Sequence, residues 1–153
     1  MHIRGGQFYR WAVTGWVHAA QSSEEARSHL ELRYRLSALA ADQYCDAGFT
    51  TVVQDNIFGP DVPAWLGRVG AHERHLVVLR PSLAVVAERD RARQTATGKI
   101  AYRPGEFSIE QLDSFLDETP RIGLWLDTSS QSPAQTVAEI MDRQSEASVD
   151  GSI

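Results

Sequence analysis

Three short apolar runs, each closing on a polar side chain and each followed by a helix signal, constrain this chain more than any other feature in it. They are Phe49-Thr50-Thr51-Val52-Val53-Gln54-Asp55, His75-Leu76-Val77-Val78-Leu79-Arg80 and Ile122-Gly123-Leu124-Trp125-Leu126-Asp127. Runs of this length, rich in β-branched residues and without polar alternation, read as strands buried on both faces, the environment a parallel sheet provides. Capped helices between them predict a three-layer α/β fold, a parallel sheet with helices on both faces. In such sheets function gathers beyond the C-terminal ends of the strands. Those ends are Asp55, Arg80 and Asp127.

The helical segments carry their own punctuation. Ser22 and Glu25 have capping-box spacing. Behind them Ala26, Leu30, Tyr34, Ser37, Ala41 and Tyr44 recur at steps of three and four as far as Cys45, predicting one apolar helix face that Gly48 can close. Gly59-Pro60-Asp61 reads as a turn before a short helix over Val62 to Val69. Pro81 opens a helix over Leu83 to Arg93, and the polar, glycine-punctuated Thr95 to Gly105 reads as a loop. Ser108 with Gln111 and Ser132 with Gln135 supply two further capping boxes. The Ser, Asp and Gly composition from Gln144 to Ile153 predicts a fraying, disordered tail.

Length and charge narrow the class. A chain of 153 residues suits one compact domain, placed at residues 1–143. A net charge of -5 argues against a nucleic-acid footprint. No apolar run approaches the roughly 18–20 residues of a membrane span, and no signal peptide is read at Met1. Cys45 is the only cysteine, which excludes a disulfide framework and fits a cytoplasmic location. His72 and His75 lie three apart with no third metal ligand suggested beside them, and no Gly-x-Ser-x-Gly nucleophile elbow occurs. The four tryptophans, Trp11, Trp16, Trp65 and Trp125, read as packing residues.

Three stretches together resemble the P-loop small-molecule kinases of the chloramphenicol phosphotransferase type. They are Phe49 to Asp55 with Asn56-Ile57-Phe58-Gly59-Pro60-Asp61, then His75 to Arg80 with the arginine helix Ala87 to Arg93, and Glu118 to Ser129 followed by Ser132-Pro133. The likeness covers roughly residues 1–143. It implies a P-loop kinase-like fold and an ATP-dependent phosphotransferase acting on a hydroxyl of a small molecule, with ATP and Mg²⁺ as co-reactants. The alternative is a non-catalytic P-loop-like remnant that binds a ligand or partner.

Carried over residue by residue, the resemblance gives Asp55 a catalytic role and a water-mediated contact to Mg²⁺. Arg89 and Arg93 match the arginines that grip phosphates; their spacing of four puts both on one helical face. Asp127, Thr128 and Ser129 match the loop beside the nucleotide. Arg4, Tyr9 and Arg10, in the segment resembling the substrate-side strand and turn, are candidates for substrate binding, as is Arg35 on the long helix. On this reading Asp55→Asn abolishes phosphate transfer and spares the fold.

Two departures qualify the resemblance. Gly6 stands where many relatives carry an aspartate suited to act as base on the acceptor. The Walker A pattern Gly-x-x-x-x-Gly-Lys-Ser/Thr is also missing: Lys99, the only lysine, sits in Thr97-Gly98-Lys99-Ile100, with Arg93 where the first glycine belongs. The resemblance therefore implies a domain lacking the first strand and the P-loop, truncated at its N-terminus. A sheet without its central strand leaves open edges, through which homo-oligomeric association is expected.

Overall fold

The computed structural model describes residues 1–70, 72–103 and 105–149. It is a mixed α/β structure with small parallel sheets. Where length points to one domain, the chain divides into two compact units, Met1–His72 and Glu73–Ser152. The physical reason is that each parallel strand pair buries an apolar cluster of its own.

The first unit opens with β1 (His2–Arg4), α1 (Gly6–Trp11) and a short 3-10 turn, Ala19–Gln21. The long helix α2 (Glu24–Asp46), β2 (Val52–Gln54) and α3 (Asp61–Leu66) follow. The cap of α2 is Ser23, not Ser22; its hydroxyl accepts from Ala26 N at 3.0 Å. Ser22 instead closes the 3-10 turn in a left-handed conformation, φ 51°. The expected helix face is otherwise in place: Ala26, Tyr34, Ser37 and Ala41 are buried, while Tyr44 at the end of the stripe is exposed. Arg33 is buried on the same face.

β1 and β2 pair in parallel, with Ile3 opposite Val53. Ile3, Phe8 and Ala41 form the cluster beneath them, with Ala40 and Val53 packed against it. Val52 donates its amide to Met1 O at 2.8 Å, and Gln54 O accepts from Gly5 N at 3.0 Å. Alternation along the strand then turns the backbone groups of Val53 toward the other edge, where no strand is paired among the described residues.

In the second unit, β3 (Arg74–His75) and β4 (Val77–Leu79) precede α4 (Leu83–Thr97), which runs past the expected stop into the predicted loop until Gly98 caps it at φ 70°. Next come α5 (Ile109–Asp117), β5 (Leu124–Leu126) and α6 (Pro133–Asp142). Both predicted capping boxes are present, at Ser108 with Gln111 and at Ser132 with Gln135. β4 and β5 pair in parallel, Val78 opposite Trp125. Gly123 enters this pair at φ 69°, and a Cβ there would run into the carbonyl of Leu76, so both its conformation and its space call for glycine.

The tail needs correcting up to Val149. It forms α7 (Gln144–Ala147) and β6 (Ser148–Val149), the latter antiparallel to β3. Ala147 and Val149 supply the reason: both are buried, Ala147 against Leu124 and Leu126. Residues 150–153 lie outside the described residues.

The expected parallel pairing is present in small ladders. The described strands form three two-stranded ladders, two parallel and one antiparallel. Strands expected to be covered on both faces are therefore partly open: Val52 is 58% exposed and Leu79 48%. No helix among the described residues is long and apolar enough to cross a membrane.

Candidate functional site

Asp55 lies in the first unit, Arg80 and Asp127 in the second. Asp55 follows β2 and turns back toward α2, where Arg33 meets it fork to fork. Arg33 Nε lies 3.1 Å from one carboxylate oxygen and Nη2 closes on the other. Asn56 N donates to the second oxygen at 2.8 Å. The pair is buried, with side-chain exposures of 9% for Arg33 and 2% for Asp55. Gly5 makes room for it, since a Cβ at that position would collide with the Asp55 carboxylate.

Aromatic rings fix the guanidinium from its faces. Arg33 lies 4.6 Å from the centre of the Tyr9 ring and 5.7 Å from that of Tyr34. Tyr34 in turn donates its hydroxyl to Asn56 O at 2.9 Å. Burial pushes the Tyr34 phenol well above its ordinary range, against the opposing pull of the Arg33 charge.

This pair forms one wall of a cleft of about 260 Å³ at the C-terminal ends of β1 and β2, lined by Arg4, Gly6, Arg10, Arg33, Asp55 and Asn56 among others. Of the substrate candidates, Arg4 and Arg10 reach the cleft. Tyr9 does not line it and acts as a shelf under Arg33. Arg35 is exposed and does not line it, being two residues from Arg33 and so on another side of the helix. Sequence reasoning passed over Arg33, although a signal was there: it lies three after Leu30 and four before Ser37, within the apolar stripe of α2.

In the second unit the nucleotide candidates are partly brought together. Arg89 donates to Thr128 O at 2.7 Å and to Gln131 O at 3.1 Å, with Thr128 Oγ1 at 3.4 Å. Asp127 accepts from Ser129 N at 2.9 Å and from the Ser129 hydroxyl, contacts that hold its carboxyl below the usual range. Ser129 Oγ accepts from Ser82 N at 2.8 Å, tying the loop after β5 to the start of α4. Arg93 is not part of this group and pairs with Asp90 on its own helix. Arg80 holds Asp113 at 2.9 Å and Asp117 at 2.8 Å, one turn apart on α5.

No protein-family model matches the chain, and neither a curated protein nor a solved structure matches it. The chemistry of the site rests on its own residues. Magnesium is a poor fit to them. Asp55 gives both oxygens to Arg33, and no group of three or more acidic, histidine or cysteine side chains is placed to hold a metal among the described residues. What the cleft of the first unit offers is positive charge: three guanidiniums against one carboxylate.

Proposed function

We propose that the cleft of the first unit is the acceptor site of an ATP-dependent phosphotransferase acting on a hydroxyl of a small molecule. The observation that supports this is the placing of Arg4, Arg10 and the Arg33–Asp55 pair around one cleft beyond the ends of two parallel strands. Phosphoryl transfer draws on positioning and positive charge more than on covalent chemistry. A guanidinium held by a buried carboxylate and two aromatic faces is positioned before any ligand arrives. Asp55 then acts on the acceptor through Arg33, holding the fork in place, rather than through a metal ion.

The resemblance of the strand-end segments to P-loop small-molecule kinases supplies the reaction class, with ATP as donor and Mg²⁺ as its counter-ion. The resemblance makes Arg89, Thr128 and Ser129 of the second unit nucleotide candidates. Arg89 is engaged with the carbonyls of the β5 loop, so its service there is to shape that loop.

A second reading is a non-catalytic binding module, favoured by two features of the sequence. Lys99 is not set in a Gly-x-x-x-x-Gly-Lys-Ser/Thr loop, and Gly6 replaces the side chain that would serve as base. Both readings meet one experiment. The chain is incubated with Mg²⁺, labelled ATP and a panel of antibiotics, nucleosides, sugars and their phosphate monoesters, while binding is followed by calorimetry. Label on an acceptor hydroxyl supports the phosphotransferase. Binding that Arg10→Gln weakens, without transfer, supports the module. A panel without either overturns both.

A further inference from the structure

We infer that the ligand taken by the cleft of the first unit carries a compact anionic oxygen group, a phosphate monoester rather than a neutral polyol. This rests on the reading of that cleft as a binding site and names the class of molecule it takes.

The tally of charge comes first. Arg4, Arg10 and Arg33 face a single carboxylate, Asp55, which leaves two positive charges over. Asp55 neutralises Arg33, and both are buried. The surplus therefore resides on Arg4 and Arg10, which are exposed and pair with no carboxylate among the described residues. This is not for want of acids. The chain has 20 Asp and Glu against 15 Lys and Arg, and Arg27, Arg68, Arg80, Arg93 and Arg143 each hold a carboxylate elsewhere. Two unpaired guanidiniums in one cleft of an acidic protein leave a doubly charged hole. A phosphate monoester brings a charge of about minus two at neutral pH and three acceptor oxygens to it.

Size and polarity agree. The cleft, about 260 Å³, has room for a phosphate and a few carbons. Gln7 and Gln54 line the same space and can hydrogen-bond hydroxyls on that remainder. Gly6 keeps the approach open, and a Cβ added there would meet nothing within 4 Å.

That open position supplies the test. Gly6→Asp adds a negative charge to the cleft without a clash, at a position where the backbone φ is not left-handed. Amide NMR of the full chain is followed during titration with glycerol phosphate, inorganic phosphate and glycerol. Glycerol phosphate and inorganic phosphate should shift the amides of Gly5, Gly6 and Asn56, and glycerol should not. Gly6→Asp and Arg10→Gln should each weaken glycerol phosphate about tenfold, the scale of one charged hydrogen bond. Shifts by glycerol equal to those by glycerol phosphate, and unmoved by Gly6→Asp, overturn the anionic class while leaving a small-molecule site in place. No shift at these amides from any of the three at millimolar concentration overturns the inference together with the cleft's assignment as a site.

Discussion

Asp55 presents both carboxylate oxygens to the guanidinium of Arg33, 22 residues earlier in the chain, and neither side chain is more than 9% exposed. A pair this buried responds asymmetrically to mutation. Removing one partner strands the other charge in the interior, which costs about 3–5 kcal/mol, whereas replacing both by apolar groups of similar volume costs far less. Asp55→Asn is thus expected to weaken the fold, which corrects the expectation that it spares it. Urea denaturation should show the large loss in Asp55→Asn and in Arg33→Met, and a substantial recovery in the double variant Arg33→Met with Asp55→Leu. Additive losses in the double variant would show that the two residues act independently.

Gly5 is required by space rather than by conformation. Its backbone is right-handed helical, φ -56° and ψ -37°, so alanine can adopt it. The added methyl, however, occupies the place of the Asp55 carboxylate. We expect Gly5→Ala to destabilise the first unit by about 1–3 kcal/mol, the scale of overpacking a filled site. Gly6→Ala, next to it and in open space, should stay within about 0.5 kcal/mol or stabilise slightly. Thermal melts of the two variants compare them directly, and equal midpoints would remove the close approach as the cause.

Tyr34 makes stability sensitive to alkali. Burial holds its phenol protonated beyond the ordinary pKa of about 10. Below that value both the folded and the unfolded chain keep the proton, and the contribution is fully present. Above it the unfolded chain ionises first, so stability falls as pH rises, by at most about 1.4 kcal/mol per pH unit from this group. Urea midpoints measured on either side of that pH should fall more steeply for the native chain than for Tyr34→Phe. At neutral pH the variant should lose about 1 kcal/mol with its hydrogen bond to Asn56 O. Coincident alkaline slopes would place the sensitivity elsewhere.

Arg89 and Arg93 share a helical face by spacing and differ in what they hold. Arg89 spans the carbonyls of Thr128 and Gln131, while Arg93, 48% exposed, reaches Asp90 three residues back. Arg89→Met should cost about 1–2 kcal/mol and release the amides of the Thr128–Gln131 loop to hydrogen exchange. Arg93→Met should stay within about 0.5 kcal/mol, as surface ion pairs do. The reverse ranking would mean that the contacts of Arg89 do not stabilise the loop.

Much of the local structure was legible because its causes are local. Ser108 with Gln111 and Ser132 with Gln135 work within one helical turn, and each starts a helix as its spacing predicts. Where two neighbours offered the same chemistry, spacing was not enough. Ser22 and Ser23 can both cap, and the 3-10 turn before α2 claimed the first. The site was legible in part. Arg4 and Arg10 reach the cleft, but Arg33, which organises it, was hidden by the habit of reading an arginine as solvent-facing. Its charge becomes affordable in the interior only because Asp55 arrives from a strand 22 residues away.

The sequence by itself determined the alternation of strand and helix, the ends of several helices and the reservoir of arginines from which a site could be drawn. These depend on backbone propensities and side-chain contacts within a few residues. Tertiary structure decided which of those arginines is buried, which are left without an acid, and that the strands pair two by two among the described residues. It also decided that Ala147 and Val149 are held in place rather than fraying. The physical reason is common to all of these: burial and charge pairing are settled by groups distant in the chain, and no local spacing encodes who the partner is.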